Sequence, residues 1–433
     1  MRVLLIGGGG REHAIAWKLS QSPHLTNLYI APGNSGTAAL GRNLPLPMPK
    51  TGAPKAEIDA YLYRVTLTAR DLGIDLVFVA PEDPLAWGLI DRLENAGIAA
   101  FGPSKAAAAL EASKSWAKAF MARHDIPHPT TASFDDLEAA RDYVRNAKTQ
   151  LVVKADGLAV GKGAIVTSTA KEALQAVDEL MVQGIAGTAG SKITIEERIG
   201  PREVSGHAFS DGKTFVPMPL SCDHKAVFDG NQGPNTGGMG VYSPPWWADD
   251  GLAEEISRSI IGPAVEGMRT EGRPFKGIVY PGVMATERGP QVFEFNARFG
   301  DPETQALLVR LKSDLLEIVW ACANGNLKDV DVEWSEDASV TVALASDGYP
   351  AAYKTGLPIS GVEEVDSDVA VFHAGARRDA DGTLVTAGGR VLNVTATGKT
   401  LAEARQKAYA NVERIHFEGM HYRRDIGLQP GES

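Results

Sequence analysis

Val3-Leu4-Leu5-Ile6 runs into Gly7-Gly8-Gly9-Gly10, and Ala14, Ile15, Trp17, Lys18 and Leu19 follow at helical spacing. A short apolar run closed by glycines and continued at a period near 3.6 is a strand, a tight turn and a helix. Further apolar runs stand at Leu28-Tyr29-Ile30 and Leu76-Val77-Phe78-Val79-Ala80. Each is closed by a Pro/Gly turn and separated from the next by a helical pattern, which predicts a parallel α/β sheet. That first unit spans residues 1–103.

Beyond it, Ser104 to His124 is rich in Ala, Lys and Glu and reads as a helix, broken by Pro127 and Pro129. Leu151-Val152-Val153-Lys154, a glycine loop, Ala164-Ile165-Val166, a helix from about Ala170 to Met181, and Lys192 to Glu197 predict a small α+β flap over about 125–195. A polar loop from Ser221 to Gly240, a helix from Leu252 to Thr270, and strands at Gly277–Met284 and Gln291–Phe295 complete a unit over 104–327. A C-terminal α+β unit over 328–433 is expected from strands at Val340–Ala345, Val369–Phe372 and Arg390–Thr397. Its helix opens at the capping box Thr400-Leu401-Ala402-Glu403 and runs to about Ile415.

The 433 residues suit about three domains, and 44% apolar with 22% charged residues is ordinary globular composition. A net charge of −11 has the wrong sign for gripping a polyphosphate backbone, so nucleic acid is not an expected partner. No run reaches the roughly 18 apolar residues of a membrane span, and the N-terminal run is too short for a signal peptide. A cytoplasmic protein without a membrane partner is expected. Cys222 and Cys322 read as reduced core residues.

The glycines at 7–10 invite a dinucleotide reading, but the spacing fails. From Gly7 the third glycine position falls on Glu12, from Gly8 on His13, and no acidic residue closes the second strand. A single phosphate seated by the turn with Arg11, or a turn that merely permits close packing, remain open. Gly157 to Gly163 lacks one spacer of a P-loop, and Gly163 replaces its Ser/Thr. It suits either a flap over phosphates, with Lys154 and Lys162 at its edges, or a surface hairpin.

Val292 to Gln305 is sharper. Strand alternation sends Phe293 and Phe295 to a core and leaves Glu294 and Asn296 on the other face, about 7 Å apart, with Arg298 continuing it. A carboxylate and an amide carbonyl suit a hard divalent cation, against the alternative of a merely polar strand face. His124 and His128 cannot share a helix face across Pro127.

With these stretches together, the whole chain resembles the phosphoribosylamine–glycine ligase family of the ATP-grasp superfamily. Its carriers are Gly8 to Ala14, Ala31 to Asn34, Lys154 to Gly163, Gly233 to Gly240, and Arg298 to Gln305, in which Arg-Phe-Gly-Asp-Pro-Glu-Thr-Gln is highly specific. The resemblance implies that glycine, 5-phosphoribosylamine and ATP yield N1-(5-phosphoribosyl)glycinamide, ADP and phosphate through glycyl phosphate, in purine synthesis. It makes 104–327 an ATP-grasp core and 1–103 a substrate domain. A monomer is expected. Lys114, Lys154 and the Gly157, Gly161, Lys162, Gly163 loop would meet ATP. Glu196, Glu197, Arg198 and Ile199 would form the adenine hinge, Glu203 would hold the ribose, and Glu294 and Asn296 would bind Mg2+ or Mn2+. Gly9, Arg11, Glu12, Gly33, Asn34, Asp223, Lys225, Thr236, Gly237, Gly238 and Arg298 would line the substrate side. Arg298, Lys154 and Asp223 would be catalytic, with Arg298 pairing with the glycine carboxylate. Gly8, Cys222 and Arg198 depart from the family's usual residues. An NAD-linked oxidoreductase and a non-catalytic nucleotide-binding regulator are the rival readings.

Overall fold

In the computed structural model, which describes residues 1–158, 163–200 and 202–430, five parallel strands form the N-terminal sheet. They lie in the order Arg42–Asn43, Asn27–Pro32, Arg2–Gly7, Leu76–Val79, Ala99–Phe101. Val3 and Leu5 join one buried cluster while Leu4 and Ile6 join another. Both faces of the sheet are therefore covered, which is why its strands read as unbroken apolar runs. The outer strands, of two and three residues, are too short to carry such a signal. Gly10 opens the helix Gly10–Leu19, and a Cβ there would stand 2.5 Å from Asn393 Nδ2 and 2.8 Å from Gln305 Nε2. The glycine thus lets two later segments pack onto the turn.

The helix expected over 104–124 is two helices, Lys105–Ala112 and Lys114–Arg123, because Ser113 between them is extended. Its hydroxyl accepts from Trp116 N at 3.2 Å and donates to Asp156 Oδ1 at 3.1 Å, drawing the chain out of helical geometry. The flap is an antiparallel sheet ordered Thr131–Phe134, Ile193–Glu197, Leu151–Ala155, Ala164–Val166. Leu137–Asn146 and Ala170–Met181 cover it through Ala140, Val144, Val177 and Leu180. Gly161 and Lys162 lie outside the described residues.

The central sheet carries Arg202–Ser205, Lys276–Thr286, Ala208–Asp211 and Phe215–Pro217, with Gly289–Asn296 beside Lys276–Thr286. Here the strict alternation expected at Phe293 breaks. Glu294 faces Gly282 and Val292 faces Val283, so Phe293 is the extra residue of a β-bulge. Phe295 stays in the core, whereas Phe293 is half-buried and lines the cleft.

The stretch 221–240, expected as a loop, contains the strands Cys222–Asp223, Ala226–Phe228 and Gln232–Asn235. Cys222–Asp223 and Gly240–Ser243 join Ala338–Ala345, Arg390–Gly398 and Ala370–His373 in one sheet, so segments on both sides of Lys328 share it. The last helix is Leu401–Val412. Thr400 caps it by accepting from Glu403 N at 3.2 Å, and Glu403 accepts from Lys399 N, one residue before the N-cap. Cys322 is buried, but Cys222, on an edge strand, is only half-buried; both are free thiols. No helix among the described residues is long and apolar enough to cross a membrane.

Burial has a consequence for acid stability. His207 is wholly buried against the Tyr280 ring, and His13 is buried beside His373; desolvation lowers both to about 3, with Arg298 and His373 respectively adding to it. An unfolded histidine titrates near 6.5, so their stabilising effect is complete above that pH and is lost as pH falls toward 3. Between pH 6.5 and 5 each should cost about 2 kcal/mol. The urea midpoint should therefore fall between pH 7.5 and 5, and His207→Phe should show a smaller fall.

Candidate active site

Strand Leu151–Ala155 carries Lys154, and Ile193–Glu197 beside it carries Glu196. Both side chains are buried, with Lys154 Nζ 2.9 Å from Glu196 Oε2 and donating to Phe293 O at 2.9 Å. Lys118, one helical turn beyond Lys114, reaches the other oxygen of Glu196 at 3.3 Å and the carbonyls of Val292 and Phe293. Burial lowers the Lys118 ammonium to about 8 despite Glu196. Lys114 donates to Gly157 O at 3.1 Å, and burial lowers it too. Its helix start is tied to the flap through Asp156, which accepts from Ser115 N and Oγ.

The bulged Phe293 lies between two cations, 5.4 Å from Lys154 Nζ and 4.7 Å from Lys225 Nζ to the ring centroid. Lys225 is hydrogen-bonded to Glu203 and stands 3.6 Å from Glu294 Oε1. Burial alone would raise the Glu294 carboxyl, but Lys225, Lys154 and Lys114 outweigh it and hold it down at about 2. Glu294 and Asn296 line a cavity of about 160 Å³ together with Lys114, Lys118, Glu82, Glu111 and Arg298. Two oxygen donors in a space open to further oxygens fit a hard divalent cation that completes its shell with water and phosphate. The four lysines suit polyphosphate.

Of the expected hinge, Glu196 faces inward to the lysines. Glu197 stands 3.6 Å from Arg288, and Arg198 donates to Gln150 and Ser168 side chains. The amides of Glu197 and Arg198 bond to Thr130 O and Gln150 O, and Ile199 is half-buried past the strand end.

Arg298 is held by protein groups that the sequence did not show. Its Nε donates to Glu82 Oε2 at 3.3 Å, Nη2 stands 2.9 Å from Glu111 Oε1, and Nη1 donates to Phe299 O at 3.3 Å. Each guanidinium nitrogen already has a partner, so Arg298 frames two carboxylates. Arg11 joins them, 3.7 Å from Glu82 and 2.7 Å from Glu12. Glu12 also accepts from Gly9 N at 2.6 Å, so a carboxylate already occupies the amide where a lone phosphate was one alternative. Asn34 donates to Gly8 O, Gly9 O and His373 O, and Gly33 has φ +73° with no room for a Cβ beside Asn43.

On the far side, Thr236 accepts from Gly238 N and donates to Lys225 O. At Gly238, φ +111°, a Cβ would lie 2.5 Å from Pro302 and 2.7 Å from Asp223 Oδ1. The Asp223 Oδ1 is buried without a hydrogen-bond partner, and burial with Glu303 nearby raises this carboxyl well above the usual range. Arg390 binds the Gly237, Gly238 and Asp301 carbonyls and pairs with Asp301 at 3.0 Å.

The fold thus brings Lys114, Lys154, Glu203, Lys225, Glu294, Asn296 and Arg298 into one cleft, and sets Asp223 with 236–238 beside it. Sequence reading missed Lys118, which the i, i+4 spacing from Lys114 could have shown. It also missed Phe293, Glu82, Glu111 and Arg390, for which no local signal exists. His124 and His128 do not meet: one contacts Glu271, the other Ile126 O.

The chain matches the phosphoribosylglycinamide synthetase N domain over residues 1–111, the ATP-grasp (A) domain over 112–304 and the C domain over 339–429. It belongs to the phosphoribosylamine–glycine ligase family. Within that family it is 47% identical over 429 residues to the phosphoribosylamine–glycine ligase of Agrobacterium fabrum, covering 99% of this chain and 98% of that one. The phosphoribosylamine–glycine ligase structure from Thermotoga maritima superposes with TM-score 0.83 at 31% identity, over 98% of this chain and 100% of that one. A biotin carboxylase from Campylobacter jejuni shares the fold alone, with TM-score 0.74 at 13% identity over 99% and 94% of the two chains. As a family member the chain is an ATP-using ligase that works with a divalent metal.

Proposed function

We propose that this chain joins glycine to 5-phosphoribosylamine, using ATP, to give N1-(5-phosphoribosyl)glycinamide, ADP and phosphate in de novo purine biosynthesis. The observation that carries the reading is the cleft itself, where Lys114, Lys118, Lys154 and Lys225 converge around the oxygen donors Glu294 and Asn296. A glycine carboxylate oxygen attacks the γ-phosphorus and the bond to ADP breaks, a transfer governed by positioning and charge neutralisation. Lys114 and Lys154 supply positive charge to the phosphates, and the loop from Gly157 through Gly161, Lys162 and Gly163 excludes water from the glycyl phosphate. The amine nitrogen of phosphoribosylamine then attacks the acyl carbon, orthophosphate leaves, and Asp223 takes the proton that the amine sheds.

Glu196 to Ile199 flank the adenine and Glu203 takes the ribose. The sugar-phosphate side consists of Lys225, Thr236, Gly237 and Gly238, with Gly9, Arg11, Glu12, Gly33 and Asn34 from the N-terminal domain. Mg2+ or Mn2+ on Glu294 and Asn296 would supply charge neutralisation at the phosphate oxygens. The enzyme acts as a cytoplasmic monomer without nucleic-acid or membrane partners. The test is product analysis of the complete reaction: ADP and orthophosphate should appear only with glycine and phosphoribosylamine present. Stoichiometric AMP and pyrophosphate would overturn the acyl-phosphate route.

A further inference from the structure

The cavity of about 160 Å³ is lined by two kinds of group, lysine with metal-type oxygen donors and carboxylates held by arginine. Glu294, Asn296 and Lys114 line it, the residues proposed above for phosphoryl transfer. Glu82, Asp83 and Glu111 line it as well, and Glu82 and Glu111 pair with Arg298. We propose that Glu82, from the N-terminal domain, receives the α-ammonium group of glycine and thereby aims the glycine carboxylate at the nucleotide. This deepens the functional reading above and rests on it.

The chemistry sets the orientation. Glycine binds as a zwitterion, and its carboxylate is the group that must reach the γ-phosphorus. Its ammonium must therefore point away from the lysines and metal donors, and an ammonium leaving water needs an anionic acceptor. Besides Glu294, three carboxylates line the cavity, Glu82, Asp83 and Glu111, and their existing bonds separate them. Glu111 is engaged on both oxygens, by Arg298 at 2.9 Å and by Ala297 N at 2.8 Å. Asp83 accepts from Thr51 Oγ1. Glu82 meets both its arginines on Oε2 alone, and a carboxylate offers about four acceptor sites. Its side chain is also the most accessible of the Arg298 partners, 37% exposed against 10% for Glu111. Arg298 and Arg11 outweigh burial and hold the Glu82 carboxyl down at about 2, so it is anionic at working pH.

The amino acid is accordingly recognised by one domain and phosphorylated in another, with Arg298 as the bridge. The experiment compares wild type, Glu82→Gln and Glu82→Asp in glycine-dependent ADP release, with glycolate, which carries a hydroxyl in place of the ammonium, as competitor. Glu82→Gln should raise KM for glycine about ten- to hundredfold, leave KM for ATP and Ki for glycolate unchanged, and so erase most of the preference for glycine. Glu82→Asp, which keeps the charge, should fall between. An unchanged glycine KM in Glu82→Gln would overturn the assignment. Equal weakening of glycine and glycolate would also overturn it, because Glu82 would then act only by positioning Arg298. Absence of glycine-dependent ADP release in the wild type would instead bring down the functional reading itself.

Discussion

Glu294→Ala is expected to lower turnover roughly a hundred- to thousandfold, the scale on which one group that stabilises transition-state charge is felt. The divalent-metal concentration for half-maximal rate should rise with it. The carboxylate is an anionic oxygen donor kept ionised by Lys225, Lys154 and Lys114, so its loss would remove the proposed metal ligand and leave those cations facing one another. Glu294→Gln, which keeps an oxygen donor without the charge, should be intermediate. With the adenine contacts proposed on the flap hinge, affinity for free ATP should hold. Rate titrations with metal, set beside equilibrium binding of a non-hydrolysable ATP analogue, check this. An unchanged metal requirement together with a matching loss of nucleotide affinity would remove Glu294 from the metal site.

Arg298→Ala, four residues on, should fail differently. The substitution strips the cation from Glu111, whose carboxyl burial already raises, and loosens Glu82. Breaking a pair this buried should cost about 3 kcal/mol of stability. Use of glycine should weaken roughly ten- to hundredfold because Glu82 loses the cation that holds it, with nucleotide affinity little changed. Arg298→Lys should restore little, since a point charge cannot span two carboxylates and the Phe299 carbonyl as a planar fork does. Denaturation curves and separate steady-state titrations of ATP and glycine test the division. Weakened MgATP with glycine unaffected would refute it.

These expectations show where sequence reading reached the site and where it stopped. Glu294, Asn296 and Arg298 were legible because they sit at fixed spacing on one strand and its continuation. Their order along the chain carries over to the cleft, although the protein partners of Arg298 were not legible. Whether its guanidinium faces a substrate or two carboxylates depends on Glu82 and Glu111, which are 216 and 187 positions away in sequence and arrive from other helices. No spacing rule spans such distances.

By itself the sequence determined the elements whose cause is local. These are the parallel strands with both faces buried, the glycine turn into Gly10–Leu19, the flap, and the oxygen donors at 294 and 296. Tertiary structure alone decided the rest. The Phe293 bulge arises from pairing with Gly282 and Val283, and it turns a residue expected in the core toward Lys154 and Lys225. The extended Ser113 depends on Asp156, and the sheet uniting residues 222–243 with the C-terminal strands depends on partners about a hundred positions away. Local periodicity reports which face of an element is apolar. It is silent on which distant side chain satisfies a buried polar or charged group, as Lys225 does for Glu294 and Arg298 for Glu82.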